Sequence, residues 1–333
     1  MVTPSSRRLS SALLAATVCL LTMPGCGSDL AVPGTPDSGT PDASTPDSGT
    51  PDAGMPDAGM LPTTVGGDRP AKVFIPEDYD AAKSYPLVIL LHGFGATGAA
   101  EDLVFRLGRQ VTDKQFLFVL PDGTKNSNGA RFWNATDACC AATPAERQVD
   151  DVAYLRGLVS EMEAHFSVDA KRVYFVGHSN GGFMSFRMAC DASDIVTAIA
   201  SLAGSTWNDA SKCDPEQPVS VLDLHGTADT TVPYDGASAG PVGTGRAGYP
   251  SAPDTVKRFT ERAGCDVSMP EDGGRLDLDA TVAGDETVVT NYTVGCQDGV
   301  DASLWTLEGS GHIFATTPQF PVDILDWLFR HSR

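Results

Sequence analysis

Residues 174–182 read Tyr-Phe-Val-Gly-His-Ser-Asn-Gly-Gly. An aromatic and β-branched run over 172–176 enters a G-x-S-x-G turn, and a helix-forming stretch leaves it at Asn180. No other segment restricts the fold as much. A serine at the tip of so tight a turn requires the incoming strand and outgoing helix to pack against each other. Gly177 and Gly181 flank Ser179 where a Cβ would collide across the turn, so glycine is what the geometry asks for. Ser179 is then held on strained backbone with its Oγ exposed, placed for nucleophilic attack on an acyl group.

The surrounding pattern alternates strand and helix. Strands are expected at 72–75, 87–91, 116–120, 172–176, 198–202, 219–224 and 303–307. Helices are expected at 101–110, 151–165, 180–190, 255–263 and 322–331. Within 151–165 the apolar positions Val152, Tyr154, Leu155, Leu158, Val159 and Met162 follow helical spacing. Such alternation predicts an α/β fold with a mostly parallel sheet covered by helices on both faces. Ligands then bind beyond the carboxyl ends of the strands.

A serine hydroxyl is a weak nucleophile at neutral pH and needs a base, which in turn needs an orienting acid. In hydrolases of this order the acid and then the histidine follow the serine along the chain. Asp229 lies in His225-Gly226-Thr227-Ala228-Asp229, just past the strand 219–224, whereas Asp223 sits inside that strand. Asp229 is therefore the expected acid. His312 follows the strand 303–307 on the glycine-containing loop Glu308-Gly309-Ser310-Gly311 and is the expected base. His178 adjoins the serine but should point away from it. His165 and His331 belong to helices, and His225 and His92 brace loops. The oxyanion of an acyl-transfer intermediate needs amide donors. The backbone N–H groups of Asn180, after the nucleophile, and of Phe94, in His92-Gly93-Phe94-Gly95, are the expected pair.

The formal net charge of −20 excludes the clustered cations that phosphate contact demands, so no nucleic-acid partner is expected. Arg7 and Arg8 precede an apolar run over 13–23, too short to span a bilayer stably, and Cys26 follows. Residues 1–26 thus predict a lipoprotein-type export signal with lipidation at Cys26, the one expected membrane contact. Residues 35–59 repeat TPDSG-like pentapeptides. They cannot bury a core, so 27–61 is expected to be a disordered tether for a catalytic domain at 62–333. That domain is itself acidic, with 21 basic and 37 acidic residues. Beyond Cys19 and Cys26 it holds Cys139, Cys140, Cys190, Cys213, Cys265 and Cys296. An even set in an exported chain predicts disulfides, and spacing alone does not choose the pairing. No Cys/His ligand spacing suggests a metal, and no cofactor is expected.

Taken together, Arg69-Pro70, Leu91-His92-Gly93, Phe132-Trp133-Asn134, Val149-Asp150-Asp151-Val152, Gly177-His178-Ser179-Asn180-Gly181, His225-Gly226-Thr227-Ala228-Asp229 and Gly311-His312 resemble the α/β-hydrolase family. The closer likeness is to its secreted branch of poly(3-hydroxybutyrate) depolymerases, feruloyl esterases and acetyl xylan esterases (carbohydrate esterase family 1). The resemblance runs over most of residues 68–315. It implies the α/β-hydrolase fold, a Ser179–His312–Asp229 triad and a polysaccharide-linked ester or a polyester as substrate. It also implies a Cys265–Cys296 bridge, with Cys139 and Cys140 bonded toward Cys190 and Cys213. Phe94 stands where the family often has a smaller residue, and the Trp-Pro pair usual after the histidine is replaced by Ile313-Phe314-Ala315. Phe94, Trp133, Trp305 and Phe314 are the aromatic residues expected nearest a substrate pocket. The expectation is an extracytoplasmic serine esterase. Its rivals are a serine peptidase on the same fold and an inactive hydrolase-like binding module.

Overall fold

Strands covered on both faces must be apolar on both, and the central strands of this protein are. In the strand Tyr85–Leu91 every residue is buried. Leu87, Ile89 and Leu91 join one apolar cluster, while Val88 and Leu90 join another on the opposite face. In the computed structural model, residues 61–239, 246–297 and 299–333 are described. The chain divides into units at 1–56 and 57–333, and the described residues all belong to the second. The signal expected at 1–26, with Cys26, and all but residue 61 of the tether expected at 27–61 lie outside the described residues.

Among the described residues the main sheet has ten strands. In chain order they are β1 (Thr64–Val65), β2 (Ala71–Phe74), β3 (Tyr85–Leu91), β4 (Leu117–Leu120), β5 (Val168–His178), β6 (Ala198–Leu202), β7 (Ser220–Gly226), β8 (Glu271–Leu276), β9 (Thr287–Tyr292) and β10 (Ala302–Leu307). Their spatial order is β1-β2-β4-β3-β5-β6-β7-β10-β9-β8. The run β4-β3-β5-β6-β7-β10 is parallel throughout. Antiparallel strands close both edges, β2 and β1 on one side and β9 and β8 on the other.

Helices α2 (Asp151–His165), α3 (Asn180–Asp191) and α4 (Ala252–Arg262) cover one face, whose cluster contains Leu155, Leu158, Met162, Phe183, Phe186 and Phe259. Helices α1 (Gly98–Phe105) and α5 (Phe320–Phe329) cover the other through Phe105, Phe320, Ile324, Leu325 and Trp327. The helix expected at 101–110 is shorter. It stops at Arg106, which adopts a left-handed φ of 57°, and a short 3-10 turn follows. Truncating a fully buried leucine such as Leu158 in such a core costs about 2–5 kcal/mol.

Three of the recognised motifs meet in one scaffold. The buried Asp151 carboxylate takes Arg69 Nη1 at 2.8 Å on one oxygen and the Asn134 amide at 2.8 Å on the other. The Arg69 guanidinium lies 3.4 Å from the centroid of the Tyr154 ring. Removing one partner from a buried pair leaves an uncompensated charge, so these residues are tied together by the cost of separating them.

The disulfide pairing partly corrects the expectation. Cys265 is bonded to Cys296 as the resemblance implies. Cys190, however, is bonded to Cys213, with Cα atoms 5.0 Å apart, within ordinary disulfide reach. Both partners expected for the Cys139-Cys140 pair are thereby used, and Cys139 and Cys140 are bonded to each other.

Candidate active site

The Ser179 turn joins β5 to α3. Ser179 sits at its tip with φ 54° and ψ −118°, a conformation a side chain tolerates only when the surroundings impose it. Those surroundings are close. A Cβ on Gly177 would fall 2.2 Å from the Gly181 carbonyl oxygen, and one on Gly181 would fall 2.0 Å from that of Leu91. The Ser179 amide donates to Leu202 O at 2.8 Å, and its carbonyl accepts from Phe183 N at 2.9 Å.

Asp229 and His312 come from the loops after β7 and β10, parallel neighbours that end on the same side of the sheet. His312 Nδ1 is 2.7 Å from Asp229 Oδ2. The other carboxylate oxygen accepts the amides of Thr231 at 2.7 Å and Val232 at 2.8 Å. Burial pushes the Asp229 carboxyl up, but the His312 hydrogen bond and the Val232 and Thr231 amides outweigh it and hold the group below its ordinary value. His225, almost fully buried, donates from Nε2 to Val232 O at 2.7 Å and steadies the same turn. Asp223 stays inside β7, 3.8 Å from His225 Nδ1, and burial pushes its carboxyl up.

The loop after β3 is tightly fixed. Burial holds the His92 imidazole below its ordinary value. A neutral ring accounts for its two contacts, since Nδ1 donates to Gly93 O at 2.7 Å and Nε2 accepts the Gly123 amide at 2.9 Å. The Gly93 amide is bound to Glu101 Oε2 at 2.9 Å, the Gly95 amide to Arg131 O at 2.8 Å and the Ala96 amide to Gly93 O at 3.1 Å. Of the loop's successive amides, Phe94 N–H is thus the one not committed to these internal acceptors. Asn180 is held by a reciprocal pair with Trp133, whose amide donates to Asn180 Oδ1 at 2.7 Å while Asn180 Nδ2 donates to Trp133 O at 2.9 Å.

Two cavities adjoin Ser179. One, of about 470 Å³, is lined by Gly93, Phe94, Glu101, His178, His312 and Phe314, among others. The second, of about 530 Å³, is bounded by Phe94, Cys139, Cys140, Phe183, Val232 and Tyr249, among others. Ser179, Phe94 and Thr231 belong to both. Phe94 and Ile313 are exposed, at 46% and 74%, beside the first cavity. Phe94 and Phe314 therefore line a cavity beside Ser179, but two other aromatic residues do not. Trp133 is fully buried, and its Nε1 donates to His92 O at 3.0 Å. Trp305 faces a separate cleft with Gly273, Leu276 and Trp327. Neither lines a cavity at Ser179, because both indoles are packed into the cores that flank the sheet. Glu101 and the ring of His178 were not anticipated as neighbours of this site. An acidic residue in the first turn of a helix reads as compensation of the helix dipole, and nothing in its spacing signals burial. Among the described residues no cluster of three His, Cys, Asp or Glu could hold a metal ion.

The model of the family Esterase, described as "Putative esterase", matches residues 63–230, half of the chain, and spans β1 through the Asp229 turn. The chain belongs to this esterase family. Feruloyl esterase B of Piromyces equi is 26% identical to this esterase-family chain over 243 residues, 72% of the chain and 42% of that protein. The "Putative esterase NocK" of Nocardia uniformis subsp. tsuyamanensis is 28% identical over 236 residues, 68% of the chain and 64% of that protein. The chain thus matches less than two thirds of the length of either. The acetyl xylan esterase from Aspergillus awamori has a similar fold, with a TM-score of 0.55 at 15% identity, covering 82% of this chain and 100% of that one. The fold is that of the α/β-hydrolases.

Proposed function

We propose that this protein hydrolyses carboxylic esters through an acyl-enzyme on Ser179. The observation that carries the reading is the 2.7 Å His312–Asp229 contact at a cavity that His312 shares with Ser179. Ser179 Oγ attacks the ester carbonyl and His312 takes its proton, with Asp229 holding the imidazole tautomer that leaves Nε2 free to do so. The oxyanion is received by the amides of Phe94 and Asn180. His312 returns the proton to the departing alcohol, and water then releases the acid by the same steps. The paired cavities offer separate room for the acyl and alcohol halves.

The relatives and the cavity walls support a substrate class. A feruloyl or acetyl ester of a plant polysaccharide suits an apolar pocket open at Phe94 and Ile313, with a hydroxyalkanoate polyester as the other ester of the same chemistry. Residues 1–26 serve as an export signal with Cys26 as the lipid anchor. Residues 27–61 form a tether, and 62–333 work outside the cytoplasm, where the three disulfides among the described residues persist. The test is hydrolysis of p-nitrophenyl acetate by the parent and by Ser179→Ala, followed by methyl ferulate, acetylated xylan and hydroxybutyrate oligomers. Loss of turnover in the folded variant is expected. Undiminished turnover would remove the assignment.

A further inference from the structure

Glu101 is a buried carboxylate, 4% exposed, that the reaction above does not use. Its Oε2 accepts the Gly93 amide at 2.9 Å, and its Oε1 lies 3.2 Å from His178 Nδ1. The other nitrogen of that ring, Nε2, lies 3.0 Å from the carbonyl oxygen of His312. A carbonyl only accepts, and an ionised carboxylate only accepts. His178 therefore donates from Nε2 to the His312 carbonyl, with Nδ1 facing the Glu101 carboxylate. The His178 ring also packs against the His312 ring, with centroids 4.9 Å apart.

We infer that Glu101 and His178 form a positioning pair that locks the oxyanion donor, the nucleophile turn and the base loop into one register. The inference rests on the assignment of Ser179, His312 and the Phe94 amide made above. Glu101 fixes the N–H of Gly93, while His92 and Ala96 fix its carbonyl. The peptide that carries the Phe94 N–H is thereby pinned at both ends of Gly93 and cannot rotate away. His178 adjoins Ser179 in the chain and grips the main chain of His312. A single buried carboxylate thus joins the loops after β3, β5 and β10, which are remote in sequence. A buried carboxylate is costly unless it is well bonded, so breaking this arrangement is opposed by its desolvation. Misplacement of a catalytic group by about 1 Å costs on the order of 10²-fold in rate.

The test compares Glu101→Ala and Glu101→Gln with the parent for kcat and KM on p-nitrophenyl acetate. Melting temperature and the rate and end-point of fluorophosphonate labelling at Ser179 are measured alongside. The alanine variant is expected to lose about 10²-fold in kcat with KM within about twofold. It should be labelled correspondingly slowly but to full stoichiometry. The glutamine variant keeps an oxygen for the Gly93 amide and is expected to lose only about tenfold in kcat. A kcat for folded Glu101→Ala within twofold of the parent overturns the proposal. So does a loss carried by KM alone, which would make Glu101 a substrate contact. If the alanine variant does not fold, Glu101→Gln decides, and an unchanged kcat overturns the proposal. Absence of labelling in the parent would instead strike at the Ser179 assignment, which separates the two failures.

Discussion

Replacing Asp229 with asparagine isolates one hydrogen bond in the site. Asp229 accepts three bonds, two from the amides of Thr231 and Val232 on Oδ1 and one from His312 Nδ1 on Oδ2. The amide side chain has the same shape. Its oxygen keeps both backbone bonds, so the turn stays folded, and its NH₂ then occupies the position that faces His312. Two donors cannot share that contact. The imidazole responds by carrying its proton on Nε2 and accepting on Nδ1, and Nε2 can no longer take a proton from Ser179. A comparable change of tautomer in a serine hydrolase costs about 10⁴ in kcat, or roughly 5.5 kcal/mol of transition-state stabilisation. Melting temperature should change little by comparison, because the backbone bonds survive. The assay is kcat on p-nitrophenyl acetate beside thermal unfolding of the same preparation. A folded Asp229→Asn enzyme within tenfold of the parent would refute the reasoning and leave Asp229 as a turn residue.

Further outcomes follow from the same geometry. The Asp229 carboxyl is held below its ordinary value of about 4, so its stabilising contribution is complete above that pH and is lost as pH falls through the lowered value. The stability difference between the parent and Asp229→Asn, followed by melting temperature against pH, should be flat above about pH 5 and change only below about pH 4. Gly181→Ala should cost 3 kcal/mol or more, roughly the upper end for overpacking, because its Cβ meets the Leu91 carbonyl oxygen at 2.0 Å and backbone cannot swing aside. An unchanged urea midpoint would contradict that. Cys190 and Cys213 lie 23 residues apart in sequence, so replacing both with serine should cost about 3 kcal/mol by loop entropy, whereas replacing Cys139 and Cys140, which close no loop, should cost far less by this route. Equal losses for the two double variants would show that chain entropy is not what separates them.

The parallel centre of the sheet was legible because burial on both faces leaves continuous apolar runs, as in 87–91 and 117–120. The serine turn was legible because its glycines are demanded by contacts closer than 3 Å. The outer hairpin was not. Strand β8 reads Glu-Asp-Gly-Gly-Arg-Leu and is exposed along most of its length, so it is held by pairing with β9 and leaves no apolar signature. Trp133 looked like a pocket residue because an aromatic beside a conspicuous motif can line a cavity or brace a loop. Its bonds to His92 and Asn180 cross 41 and 47 residues of sequence, and only the folded chain distinguishes the two. Glu101 was hidden for the same reason. Its partners are a backbone amide and a histidine whose positions depend on β3 and β5 meeting in register.

Ester hydrolysis by the route proposed here requires that the acyl group pass through Ser179. The most direct measurement is mass spectrometry of enzyme quenched in acid during turnover of p-nitrophenyl acetate, with the acetylated residue mapped by peptide fragmentation. An acetyl group is expected on Ser179 in the parent and none in Ser179→Ala. Acetyl on another residue, or full-rate turnover by an enzyme that never carries one, would contradict it.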